Sequence, residues 1–207
     1  MHGFIAGYYK FSVWAMRLAY VNLLWIVFTI LGLGIFGFMP ATTGMFAVIR
    51  KWNMGDDEIP IFATFWQSYK QEFIKVNILG ILLFAIGYLL IVEFQILRMQ
   101  DSVLYQIVSF GVLVSLFIYT IVLTYFFPIF VHFNLKITDY LKWPFIIGII
   151  HPILTVVLIG GMAVLYYIAL MTVPAILFFF GGSITAFIIM WGASKSFSKY
   201  EMNEVIE

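Results

Sequence analysis

The chain has no cysteine among its 207 residues. That absence removes disulfides, thiolate metal sites and thiol nucleophiles together, and it leaves the redox compartment unread. Charge is also scarce. Asp, Glu, Lys and Arg make up 10% of the chain, against roughly 25% in an average protein. A net charge of +1 supplies no basic excess for nucleic acid, which excludes that partner class. H-E-x-x-H, a phosphate-binding glycine loop and any metal-spaced cluster of His or Cys are missing, so no cofactor and no metal are expected. No internal repeat of matching hydropathy is found, which argues against an inverted-repeat transporter. The amino-terminal stretch lacks a short apolar core followed by a small-residue cleavage site, so it reads as retained rather than as a signal peptide.

What remains is apolar. Hydrophobic residues make up 64% of the chain and aromatics 20%, and the mean hydropathy is +1.06. Such a composition belongs in a bilayer. The expectation is one all-α integral membrane domain over 1–207: a polytopic helical bundle of about five transmembrane helices.

Charge-free runs set the spans. Thirty-two uncharged residues separate Arg17 from Arg50, more than the ~20 needed to cross a ~30 Å hydrocarbon core. Pro40 lacks an N–H and biases Met39 away from the helical region, which places the first span at 18–38. Later spans are expected at 74–97, 104–127 (ended by Pro128), 144–171 and 174–191, the last two divided at Pro174. A cytoplasmic tail follows at 192–207. With five crossings, Arg50, Lys51, Lys70, Lys75, Lys136, Lys142, Lys195 and Lys199 share one side, and Lys10, Arg17 and Arg98 the other. Positive charge collects on the cytoplasmic side, which predicts the amino terminus outside and the carboxyl terminus inside.

The connection from the first span to the second is patterned. Ile61, Phe62, Phe65, Trp66, Tyr69, Phe73 and Val76 recur at helical steps, opposite Thr64, Gln67, Ser68, Gln71 and Lys75. That predicts an amphipathic helix at 61–75 in the inner interface. A weaker stripe predicts a second interfacial helix at 41–53. Between them these helices offer Pro40, Thr42, Thr43, Arg50, Lys51, Trp66, Lys70 and Lys75 as a candidate surface for a partner or anionic lipid. Anchoring in an anionic inner leaflet is the plainer reading for each cation taken singly.

Ionisable groups within spans are functional candidates by default. Glu93 lies near the outer end of the second span, where headgroups or a pairing with Arg98 or Arg17 account for it. His132 stands at the inner end of the third span, where packing is the plainer reading. His151 precedes Pro152, which frees a backbone carbonyl for a nearby donor, so a structural hydrogen bond is favoured. Ser183 follows two glycines in "FGGSITAF" and faintly suggests an intramembrane nucleophile working with His151. Small residues at helix spacing are far more often a close-packing surface.

The stretches "NLLWIVFTILGLGIFGFMPATTGMFAVIRKW" and "IPIFATFWQSYKQEFIKVNILG" resemble the YesL family of bacterial membrane proteins, a domain of unknown function. The resemblance is carried by Asn22, Trp25, Pro40, Ala41, Thr42, Arg50, Lys51, Phe65, Trp66, Ser68, Lys70, Phe73 and Lys75. It is specific over about residues 18–80, and it departs from the family pattern at Met39 and Glu72. Members of that family are typically encoded beside carbohydrate-uptake ABC importers. The resemblance therefore implies a non-enzymatic accessory subunit of such an importer in the bacterial cell membrane, partnered by permease subunits. The alternatives are an autonomous small-solute transporter or channel, against which the nearly charge-free fourth and fifth spans argue, and an intramembrane enzyme using Ser183.

Overall fold

The computed structural model describes residues 2–99 and 102–204, with side chains over 7–99 and 102–197. The chain folds into α1 (His2–Leu31), α2 (Ile35–Asn53), α3 (Ile61–Arg98), α4 (Val103–His132), α5 (Asp139–Ile150), α6 (Pro152–Thr172) and α7 (Ala175–Glu204), and no strand occurs among the described residues. Five segments are long and apolar enough to cross a membrane: Gly7–Leu31, Ile61–Arg98, Val103–His132, Pro152–Thr172 and Ala175–Phe197. The protein is thus an all-α, multi-pass membrane bundle.

The first helix ends at Leu31, not at Pro40. Gly34 N–H bonds to Thr29 O at 2.9 Å and Leu33 N–H to Ile30 O at 3.0 Å, with Leu33 at φ 59 and Gly34 at φ 75. That is a Schellman termination, and it reverses the chain within three residues. The following helix runs antiparallel to the first: Gly37 packs on the backbone of Phe28 and Thr29, Trp25 Nε1 donates to Thr42 Oγ1 at 2.9 Å, and Trp14 meets Trp52 edge-on at 5.4 Å.

Pro40 lies inside α2. A proline there deprives the carbonyl of Phe36 of its helical partner, and Asn77 Nδ2 of α3 supplies the replacement at 3.0 Å. The helix therefore continues to Asn53, and a second Schellman turn, with Gly55 at φ 89, closes it through Asp56 N–H to Lys51 O. The interfacial helix expected at 41–53 is instead central. Twelve of the nineteen residues of α2 are buried, against α1, α3, α4 and α7.

Other boundaries move for similar reasons. The expected pair 61–75 and 74–97 is one helix, because nothing between Lys75 and Asn77 interrupts it and the buried face runs on through Phe65, Tyr69, Val76, Leu79 and Leu83. Phe62 and Trp66, expected in the apolar stripe, point outward. Pro128 does not end the third span, since α4 carries it to His132. The span expected at 144–171 breaks at His151, where Pro152 opens α6. The tail expected at 192–207 remains helical to Glu204, and its last three residues lie outside the described residues.

The direction of α1 bears on the expected topology. Asn22 bridges Phe178 O (2.8 Å) and Ser183 N–H (3.0 Å), while Trp14, two turns earlier, meets Phe187 at 6.0 Å. The first and last helices are therefore antiparallel, so the amino-terminal end of α1 and the carboxyl-terminal end of α7 point the same way. Termini on opposite faces are incompatible with that packing when both helices cross the membrane.

Candidate functional site

Several of the polar residues singled out in the sequence meet at one end of the bundle. Arg50, in the last turn of α2, donates from Nε to His132 Nδ1 at the end of α4, at 3.2 Å. The His132 ring also packs on Phe197 of α7, 4.8 Å between centroids. Beside this junction, Lys75 Nζ lies 4.6 Å from the Tyr140 ring centre and 5.3 Å from that of Phe130, a cation–π arrangement of two rings.

Tyr140 is the hub of this end. Its hydroxyl donates to Phe133 O at 2.9 Å and accepts from Leu135 N–H at 3.0 Å and from Lys75 Nζ at 3.2 Å. One phenol thereby holds the non-helical link 133–138 against both α3 and α5. The carbonyl and amide it satisfies would otherwise go unpaired beneath a covered aromatic ring.

The remaining candidates separate by environment. Pro40, Thr42 and Thr43 are buried; Thr42 donates to Phe38 O and Thr43 to Met39 O, the back-bonding expected of helical threonines. They belong to the core and not to an exposed surface. Lys51 is half-buried beside Trp52. Trp66 is 39% exposed, stacked on Tyr69 and tilted against Phe28, and Lys70 Nζ lies 5.8 Å from its ring. These two residues face outward at the start of α3, flanked by exposed Phe62 and Ile74.

Glu93 is exposed on α3, in a shallow recess with Leu89, Val92, Ile96 and Leu97, and has no ion-pair partner among the described residues. Arg98 instead lies over Phe94 at 5.6 Å, at the rim of an open groove of about 490 Å³ between α3 and α4.

At His151 the expected structural bond exists, but a different residue makes it. Pro152 leaves Gly148 O without its helical donor, and Thr155 Oγ1 fills that place at 2.9 Å, supported by the Tyr125 hydroxyl at 3.0 Å. His151 Nε2 is itself buried without a partner among the described residues.

Ser183 and His151 are not brought together. Tyr166 of α6 bonds to Gly181 O and Thr185 Oγ1, on either side of Ser183. His151 lies fifteen residues before Tyr166, about 22 Å along the helix at 1.5 Å per residue. The Ser183 hydroxyl donates to Phe180 O, and Gly182 before it admits Asn22. This is the close-packing role.

Sequence reasoning missed Asn77, Tyr140 and Thr155 as organising residues, and it carried Asn22 only as a matching position. For Asn22 and Asn77 a signal was present: an amide inside an apolar run must find a partner when it is buried.

The comparisons with known proteins place the chain in a family and leave its chemistry open. Residues 18–94 match the protein family of unknown function DUF624. Three proteins of Bacillus subtilis (strain 168) align over most of their length. Uncharacterized protein YteU is 38% identical over 178 residues, covering 86% of this chain and 79% of its own. Uncharacterized protein YesL is 34% identical over 205 residues, covering 99% and 96%, and Uncharacterized protein YesV is 34% identical over 186 residues, covering 90% and 89%. No solved structure matches. With similarity running almost end to end, and the family match falling where α1 to α3 interlock, the chain belongs to the YesL-like DUF624 family.

Proposed function

We propose that this protein is a non-enzymatic accessory subunit in the bacterial cell membrane, binding laterally to the permease subunits of a carbohydrate (oligosaccharide) ABC importer and supporting its assembly or activity. The observation that carries this reading is the outward face at the start of α3. There Phe62, Trp66 and Ile74 are exposed, with Ile74 at 74%, and Lys70 stands beside the indole. That face is backed by the aromatic cluster of Phe28, Phe65 and Tyr69. A rigid aromatic and cationic patch is the composition of an interface anchor. Its position, next to the basic end built by Arg50 and Lys75, favours the cytoplasmic side of a partner. Mild-detergent co-purification with permease subunits tests it. Trp66→Ala with Lys70→Ala should reduce recovery of the permease while leaving the protein monodisperse. A protein that always elutes alone counts against the reading.

A second reading, an autonomous small-solute transporter or channel, is favoured by the break at His151–Pro152, because interrupted helices line solute paths in several transporter folds. Thr155 already satisfies the freed carbonyl, which leaves fewer backbone groups there for a solute. Solute flux in liposomes containing this chain alone would support it.

A further inference from the structure

We infer that α2 carries the chain across the membrane a sixth time, shielded from lipid, so that both termini and nearly all the cationic side chains face the cytoplasm.

Helix directions require an even number of crossings. In a five-crossing chain the first and last spans run the same way, yet α1 and α7 are antiparallel through Asn22 with Phe178 and Ser183, and through Trp14 with Phe187. The helix that resolves this is α2. It runs back along α1 from the Gly32–Gly34 turn, and it runs parallel to α4, with Phe46 stacked on Phe127 and Arg50 bonded to His132 one turn further on. Against α3 it is antiparallel, since Gly44 meets Phe65 and Phe36 meets Asn77. Its contacts with α1, α3 and α4 thus assign α2 the outside-to-inside direction of α4. Its nineteen residues are about 28 Å long at 1.5 Å per residue, close to the ~30 Å hydrocarbon core.

Its composition hides it. Pro40, Thr42, Thr43, Arg50 and Lys51 lower its hydropathy, but its neighbours in this chain, rather than lipid, surround most of it. Polar and proline-bearing backbone is tolerated at membrane depth where protein satisfies it, as Asn77 does for Phe36 O.

The charges then fall into place. With the first helix reversed, Lys10 and Arg17 join the eight cations already on the inner side, leaving Arg98 alone outside. Ten against one follows the positive-inside rule more closely than eight against three. The Arg17 guanidinium, 5.5 Å from the Trp14 ring, lies back toward the amino-terminal end of α1. This placement does not depend on the importer reading.

The native chain has no cysteine, so single introduced thiols report cleanly. Lys10→Cys, Leu33→Cys, Asp57→Cys and Ser102→Cys all fall at exposed positions. With a membrane-impermeant maleimide, Leu33→Cys and Ser102→Cys should label fully on intact cells. Lys10→Cys and Asp57→Cys should label only after permeabilisation. Labelling of Lys10→Cys on intact cells overturns the inference in favour of an external amino terminus. Leu33→Cys unreactive from both sides, with Lys10→Cys internal, overturns the sixth crossing and makes α1–α2 a re-entrant hairpin. Where a thiol variant does not accumulate, an amino-terminal reporter that is active only in the cytoplasm reads the same side of the membrane: activity supports the inference and silence of an expressed fusion refutes it.

Discussion

Two helices of similar length, α2 and α6, are built on opposite principles. The first contains a proline, two adjacent threonines, two glycines and two cations, and twelve of its nineteen residues are buried. The second is almost wholly apolar, yet Thr155 and Leu158 are its only buried residues. In water that ordering would be inverted. In a bilayer, lipid tails solvate apolar side chains as well as protein does, so interior helices gain by close approach and by hydrogen bonds rather than by hydropathy. The difference shows that the apolar score of a segment here measures contact with lipid, and that the structural centre is the segment scoring lowest.

The sharpest way to break this comparison is to enlarge one glycine in each helix. A Cβ on Gly37 would lie on the backbone oxygens of Thr29 and Phe28, and a helix backbone cannot move aside as a side chain can. Overpacking typically costs 1–3 kcal/mol, and Gly37→Leu should reach about 3 kcal/mol or prevent accumulation of folded protein. Gly160 of α6 has nothing within 4 Å of the same position, so Gly160→Leu should fall within about 0.5 kcal/mol of the parent. Thermal unfolding in detergent, followed by size-exclusion fluorescence, compares the two. Equal losses would show that α6 is also enclosed by protein and would remove the contrast.

A smaller effect separates the two proline sites. Asn77→Leu leaves Phe36 O facing Pro40 with no donor in its own helix, and it also loses the bond to Phe73 O. Hydrogen bonds between membrane helices contribute roughly 0.6 kcal/mol on average and about 1.7 at most. A carbonyl stranded in the core belongs near the upper figure. Thr155→Val strands Gly148 O, but the Tyr125 hydroxyl, 3.0 Å from the lost oxygen, is close at hand to replace it. About 0.5 kcal/mol is expected there. Thermal unfolding of the pair in one detergent provides the ranking, and a larger loss at Thr155 would mean that the break at His151 is held more firmly than Pro40 in α2.

How far this was legible in the sequence follows from the same physics. The helical membrane class and the apolar spans could be read because lipid-facing residues carry the hydropathy signal. The turn at Leu33 could not, since no charge or proline marks it within the uncharged run from Arg17 to Arg50. Pro40 was misread as a stop because the residue that rescues it, Asn77, lies 37 positions away on another helix, and sequence spacing cannot show that contact. At the candidate site, Arg50, Lys75 and His132 were identified individually from charge near span ends. Their convergence on Phe197 and Tyr140 depends on how α2, α4, α5 and α7 pack. Pro40, Thr42 and Thr43 were assigned to a surface because their helix was too polar to be taken for a core.

The finest version of the comparison lies within α2 itself, whose two flanking turns use the same motif with different residues. Both require a left-handed residue, Leu33 at φ 59 before the helix and Gly55 at φ 89 after it. An L side chain there costs roughly 1–2 kcal/mol, whereas glycine is nearly free of that strain. Gly55 has open space around its Cβ position, so Gly55→Ala exposes the backbone cost alone and should lower stability by about 1 kcal/mol. Leu33→Gly removes that cost while adding freedom to the unfolded chain, an opposing effect of about 0.4–1 kcal/mol. The net gain should be a few tenths of a kcal/mol, near 1 °C in thermal midpoint for a chain of this size. Opposite signs at the two ends, measured in one detergent, are the expected result. If Leu33→Gly also destabilised, the exposed leucine, 84% accessible in the isolated chain, would be contributing more by lipid contact than it loses in backbone strain, and the turn would lie deeper in the bilayer than its place at the helix end implies.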